Sequence, residues 1–202
     1  MGRILPSVIV TLEKIVGGGQ ALATMDDGRK LFVWGGLPDE EVEVQITKRK
    51  SKYAEGVVTK VIKPSKDRTQ PRDPDSYLST SPWQMMSFEA EQQYKSHLTD
   101  EAFTLHNIQL PSTSVYSDGN DYQYRNKVEF SWYGHTDDNG NEQLDLAFFR
   151  RGTKGKIPIE TSALLPEPMV TLAKQIRDYL RSKGVNARQL KTLLIRSNQN
   201  GN

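Results

Sequence analysis

The 202-residue chain contains no cysteine. That excludes disulfides, thiolate metal sites, iron–sulfur clusters and cysteine nucleophiles within it. It has only three histidines, His97, His106 and His135. They are too scattered for a metal motif, so no metal site is expected. No run approaches the ~20 apolar residues that span a bilayer. The N-terminus "MGRILPSVIV" has one early Arg but no apolar h-region followed by a small-residue cleavage site. A cytoplasmic protein without membrane partners is the resulting expectation. Catalytic signatures are missing too. "VGGGQA" lacks the G-x-G-x-x-G spacing and the following helix of a dinucleotide loop, and there is no Walker sequence and no G-x-S-x-G elbow. The Asp26/Asp27 pair sits in a predicted turn, where Asp serves the local backbone.

What is present is charge, unevenly placed. The formal net charge is only +2. Yet Lys48, Arg49, Lys50, Lys52, Lys60, Lys63, Lys66, Arg68 and Arg72 crowd one stretch, opposed there by Glu55 and Asp67 alone. The segment before it is acidic, with Asp26, Asp27, Asp39, Glu40, Glu41 and Glu43. Such asymmetry suits a polyanion on one face; it equally suits a solvated linker.

The first third reads as short strands between Gly-rich turns: "SVIVTLEKI", "ALATM", "KLFVWG", "EVEVQITKRK" and "YAEGVVTKVI". Asp27-Gly28 is a hairpin signal, and Val42, Val44 and Ile46 alternate with polar residues. Five short strands in about 65 residues fit a small closed β-barrel. Phe32, Trp34 and Tyr53 are stacking platforms for bases or ordinary packing residues. "KPSKDRTQPRDPDS" holds three prolines without periodicity and reads as a linker over 64–76.

Beyond it an α+β region is expected over 77–202. Ser87 caps a helix from Phe88 to about His106, with Leu98, Ala102 and Leu105 on one side. "YRNKVEFSW" and "EQLDLAFFRRG" pair as a hairpin, and "PEPMVTLAKQIRDYLRSKG" is a helix with a stripe of Met169, Leu172, Ala173, Ile176 and Leu180. By parity Tyr124, Asn126, Val128, Phe130 and Trp132 share the core face, with Asn126 partly buried at its open end. Arg125 and Lys127 fall on the opposite face, where they could hold phosphates. Arg150, Arg151, Lys154 and Lys156 surround two glycines in a second basic feature, suited to an anion or to a charged hairpin end. The last strand, "LKTLLIRS", either finds its partner within the chain or signals that the natural protein continues. Continuation is the expectation.

These stretches, in order and spacing, resemble the N-terminal portion of the S-adenosylmethionine-dependent RNA uracil-C5 methyltransferases, which modify tRNA and ribosomal RNA. Residues 10–68 resemble the family's OB-like TRAM domain; "SPWQMMSFEAEQQYK", "YRNKVEFSW", "FFRRGTKGKIPIE" and "LLPEPM" resemble central-domain motifs; "LLIRSNQNG" resembles the approach to the catalytic domain. The resemblance implies that Arg125, Asn126 and Lys127 hold RNA near an extruded uridine. Lys48, Arg49, Lys50 and Lys52 would add phosphate contacts. It also implies that the catalytic cysteine, the base and the cofactor site lie in a Rossmann-like domain absent from this chain, which alone would be inactive. Many members carry a [4Fe–4S] cluster, but "SYLSTSPWQ" and "ETSALLPEP" hold Ser and Thr where those cysteines would stand. Either this branch lacks the cluster or its cysteines have been replaced. A monomer is the expected state. The alternatives are a stand-alone RNA-binding or chaperone module and a basic patch for an acidic protein.

Overall fold

A computed structural model describes residues 5–111 and 113–198. They form two compact units. One takes residues up to Pro71, Ser81–Ser117 and Arg151–Thr153; the other takes Arg72–Thr80, Asp118–Arg150 and the residues from Lys154 onward. These units cut the chain differently from the expected division at 63 and 77.

The first unit is built on strands β1 (Ser7–Thr11), β2 (Lys14–Val16), β3 (Gln20–Thr24), β4 (Lys30–Trp34), β5 (Glu41–Arg49) and β6 (Tyr53–Lys63). Their order is β1-β5-β6-β4-β3-β2. All pairs are antiparallel except β4 with β6. The expected single strand "SVIVTLEKI" is two. Leu12 leaves the ladder, donates its N–H to the Glu40 carbonyl and accepts from the Asp39 N–H, both at 2.9 Å. The two edge strands are therefore separated by only Leu12 and Glu13, which span about 10 Å at most. Both edges of the sheet belong to one short run of chain.

Alternation works as expected in β5, where Val42, Val44 and Ile46 are buried with Leu31, Val33 and Ala54. The Asp-Gly turn also forms: Gly28, at φ +80°, donates to the Met25 carbonyl at 2.8 Å. Gly56 answers a close approach of β5 to β6. A Cβ there would lie 2.4 Å from a Val44 methyl and 2.9 Å from the Gln45 carbonyl oxygen.

The helix Phe88–Thr104 also belongs to this unit, not to the region after the linker. The linker itself is tied down. Arg68 reaches the buried Glu40 carboxylate and the Gly35 carbonyl, while Asp73, in the second unit, is buried and accepts the Ala163 N–H at 2.8 Å. Prolines remove periodicity, but side-chain hydrogen bonds can fix irregular backbone.

Among the described residues three α-helices follow: α1 (Tyr77–Thr80), α2 (Phe88–Thr104) and α3 (Glu167–Ser182). As expected, Ser87 caps α2 by accepting the Ala90 N–H at 3.2 Å. Its predicted apolar side does not form a core face, since Ala102 and Leu105 are exposed and Ala90 is the sole buried residue of the helix. The sequence "FEAEQQYKSHLTDEAFT" spreads polar groups around the whole helix, so three apolar residues do not define a stripe. The helix is held instead by polar contacts, among them Lys14 with Glu101 and Thr113 with Asp100.

The second unit is a four-stranded antiparallel sheet of β7 (Lys127–Thr136), β8 (Glu142–Phe149), β9 (Lys156–Pro158) and β10 (Thr192–Arg196), in the order β10-β7-β8-β9. The expected β7–β8 hairpin is present. Its Asp137 carboxylate accepts the Asn139 and Asn141 N–H groups, and the Asn141 bond foremost holds its pKa below the usual carboxylate value. Met169 and Ala173 of α3 are buried on Phe130, Trp132, Leu146 and Ile195 of the sheet, with Ile176 and Leu180 partly so. Leu172, expected in the stripe, is 45% exposed. The partner of β10 lies within the chain, since it pairs with β7. Among the described residues no helix is long and apolar enough to cross a membrane.

Candidate nucleic-acid interface

The basic stretch begins at the end of β5. Lys48, Arg49, Lys50 and Lys52 are all exposed. Lys48 pairs across the sheet with Glu55 at 2.5 Å, which raises its pKa above the usual amine value. Arg49 lies 3.8 Å from Asp27. Lys50 and Lys52 have no ion-pair partner among the described residues. Exposed pairs of this kind contribute about 0–1 kcal/mol, so a phosphate can replace either carboxylate at small cost. Arg68 differs: its guanidinium is consumed by Glu40, so it leaves the set of surface cations.

Phe32 and Trp34 stand on the outer face of β4, opposite in parity to the buried Leu31 and Val33. All three candidate platforms are half-buried. Phe32 meets Tyr53 edge-on at 5.8 Å, and Lys48 lies 5.7 Å from the Tyr53 ring. Arg151, assigned to the same unit, lies over the Trp34 ring at 4.4 Å.

In the second unit β7 starts at Lys127, so Tyr124, Arg125 and Asn126 precede the strand. The core face ends at Val128. Asn126 is exposed rather than partly buried, because its backbone lies beyond the last covered rung, Val128 opposite Ile195. Arg125 is half-buried. Its guanidinium donates to the Thr80 carbonyl at 2.9 Å and its N–H to the Leu164 carbonyl at 3.1 Å. It therefore fixes the loop as well as bordering it. Lys127 is exposed.

Arg150 and Lys154 are exposed at the β8–β9 turn, which Arg150 closes by donating its N–H to the Gly155 carbonyl at 2.8 Å. Lys156 is half-buried. Its ammonium donates to the Trp132 carbonyl at 2.7 Å and lies 5.3 Å from the Phe149 ring, so its charge is used within the sheet.

Sequence reading overlooked an open groove lined by Tyr133, His135, Thr136, Glu142, Lys156 and Arg188. Tyr133 and His135 stack there at 5.6 Å. The His135 Nδ1 sits 3.2 Å from an Asp145 oxygen but off the line of a hydrogen bond, and Arg181 also binds Asp145. The available signal was the i, i+2 spacing of two rings on the non-core face of β7.

The six-stranded sheet, basic where β5 turns into β6, finds a counterpart among known domains. Residues 7–59 match the TRAM domain. Beyond the TRAM domain the likeness continues. The chain is 32% identical over 177 residues to the 23S rRNA (uracil(1939)-C(5))-methyltransferase RlmD of Vibrio cholerae, covering 85% of this chain and 38% of that protein. It is 29% identical over 175 residues to an uncharacterized RNA methyltransferase of Thermotoga maritima, covering 85% and 37%. The fold is like that of the Pyrococcus abyssi tRNA (uracil-54, C5)-methyltransferase solved with S-adenosyl-L-homocysteine, with a TM-score of 0.62 at 12% identity over 95% of this chain and 43% of that one. The expected resemblance to RNA uracil-C5 methyltransferases is borne out, and the chain spans under half the length of these relatives. Among the described residues neither sheet has the strand–helix–strand unit with parallel strands and a Gly-rich turn that receives a nucleoside cofactor in doubly wound folds, so these residues do not fit S-adenosylmethionine in that mode.

Proposed function

We propose that this chain is the RNA-recognition portion of an S-adenosylmethionine-dependent RNA (uracil-C5)-methyltransferase acting on ribosomal or transfer RNA. The alignment with RlmD, over 85% of the chain but 38% of the relative, carries the reading. The TRAM sheet supports it. One run of chain supplies both edge strands and β4 runs parallel to β6, the pairing of an OB-type barrel that holds single-stranded nucleic acid on a basic, aromatic face. In this reading the nucleophilic cysteine is supplied from outside this chain, which contains none.

The purified chain should bind single-stranded RNA without methylating it when given S-adenosylmethionine. Each phosphate contacted adds about 0.7 to the slope of log affinity against log salt. Three contacts predict roughly an eighteenfold loss between 50 and 200 mM salt, read by fluorescence anisotropy. Flat affinity across that range rejects the electrostatic reading, and methyl transfer by the chain alone rejects the division of labour.

Asn126 supplies a second test. It is exposed, so Asn126→Ala should shift stability by no more than about 0.5 kcal/mol. RNA affinity should fall about fivefold, as expected when one hydrogen bond to a nucleotide is lost. A variant that loses stability but keeps its affinity returns Asn126 to a structural role.

A further inference from the structure

β10 and β7 bring together two cations that the sequence separates by 69 residues. Arg196 lies directly opposite Lys127. One step further out, the Ser197 N–H donates to the Asn126 carbonyl at 3.0 Å, which makes Ser197/Asn126 the hydrogen-bonded pair. Rungs alternate in an antiparallel ladder. Arg196/Lys127 is therefore a non-hydrogen-bonded pair, with Cα atoms about 4.5 Å apart and side chains at the closest cross-strand spacing. Both point away from the core face that Val128 and Ile195 fill, and both are exposed. Like charges placed directly opposite repel. Glu129, two residues along the same face, forms no ion pair with either, and neither cation has any other ion-pair partner among the described residues. Asn126, the residue before Lys127, is exposed as well.

We propose that Lys127 and Arg196 together form a phosphate site for the RNA backbone, with Arg196 as the guanidinium that brackets the phosphate oxygens and Lys127 as the second charge. The site rests on the RNA-binding reading above and adds to it a residue and a position. A phosphodiester turns the repulsion into attraction, because one anion faces both cations. Arg suits the role, since its planar fork matches two phosphate oxygens at once.

The test uses a labelled twelve-nucleotide oligouridylate and the variants Lys127→Gln, Arg196→Gln and the double variant. Each single change should weaken binding about tenfold, the measure of one charge-assisted contact. Each should also lower the salt slope by about 0.7. The double variant should lower the slope no further, because the two cations share one phosphate. Without RNA at low salt, each single variant should unfold at a higher temperature than the parent, through relief of repulsion. Parental affinity and slope in Arg196→Gln overturn the site while leaving RNA recognition by the chain intact. Should the parent itself not bind the oligonucleotide, the RNA reading fails, and the site is decided by inorganic phosphate. A midpoint raised by phosphate over chloride at equal ionic strength in the parent but not in Arg196→Gln upholds an anion site; equal midpoints overturn it.

Discussion

Glu40→Ala should destabilise the chain by about 3–5 kcal/mol, the range for removing one partner of a buried ion pair. Glu40 is fully buried, and four donors converge on its carboxylate: the N–H groups of Leu37 at 2.8 Å and Ser65 at 3.1 Å, and two nitrogens of Arg68. Alanine removes this acceptor from all four. The Arg68 guanidinium keeps the Gly35 carbonyl but loses its counter-charge, at a place where its side chain is only 17% exposed. The two backbone donors add roughly 1–3 kcal/mol each if water does not reach them. Urea unfolding with an unchanged slope is the measurement. Lys48→Ala is the control, because its pair with Glu55 is exposed and should be worth under about 1 kcal/mol. Replacing Glu40 and Arg68 together with leucines should recover much of the loss, since the penalty comes from the orphaned charge. A loss below about 1 kcal/mol in Glu40→Ala would show that the pair does not hold residues 64–71 to the sheet.

Glu40 also marks where sequence reading stops. The alternation of Val42, Val44 and Ile46, the Asp-Gly turn, the Ser87 cap and the β7–β8 hairpin are local patterns, and each appears in the structure as read. Arg68 looked like one more cation in a basic run because its acid lies 28 residues upstream. The break after Thr11 was hidden for a similar reason. Leu12 fits inward against Gly36, where a Cβ would stand 2.1 Å from the Leu12 methyl, and that contact joins segments no local window contains. The candidate site divides along the same line. Lys50, Lys52, Lys127, Arg150 and Lys154 are exposed cations, as their polar surroundings suggested. Arg125 and Lys156 turn to backbone carbonyls of Thr80 and Trp132, which only the tertiary fold puts within reach. Arg196 went unnoticed because its place opposite Lys127 is a property of register, and register appears only once β10 is paired.

Phe130→Ala should cost about 3–5 kcal/mol and lower RNA affinity only through folding. Phe130 is 2% exposed, stacks on Phe148 at 5.4 Å, and packs in one core with Trp132, Leu146, Leu165, Met169 and Ala173. It stands three residues beyond Lys127 on the strand that carries the candidate RNA contacts. A cavity of about 10 Å³, room for roughly one water, already borders the ring, among Leu146, Ile159, Leu165 and Val170. Truncation enlarges this void rather than opening a new one. The β-sheet behind Phe130 and the helix α3 across from it are each fixed by other contacts, so the site cannot collapse cheaply, and the cost belongs near the upper end of the range. Phe130→Leu keeps most of the volume and should cost under about 1.5 kcal/mol. The two variants separate anchoring from contact. Measured at a temperature where the folded population is restored, both should bind oligouridylate within about twofold of the parent, whereas Asn126→Ala stays weak at every temperature. Persistent loss of RNA binding in folded Phe130→Leu would mean that the core does more than hold the strand, by setting the angle at which Asn126 and Lys127 meet their ligand.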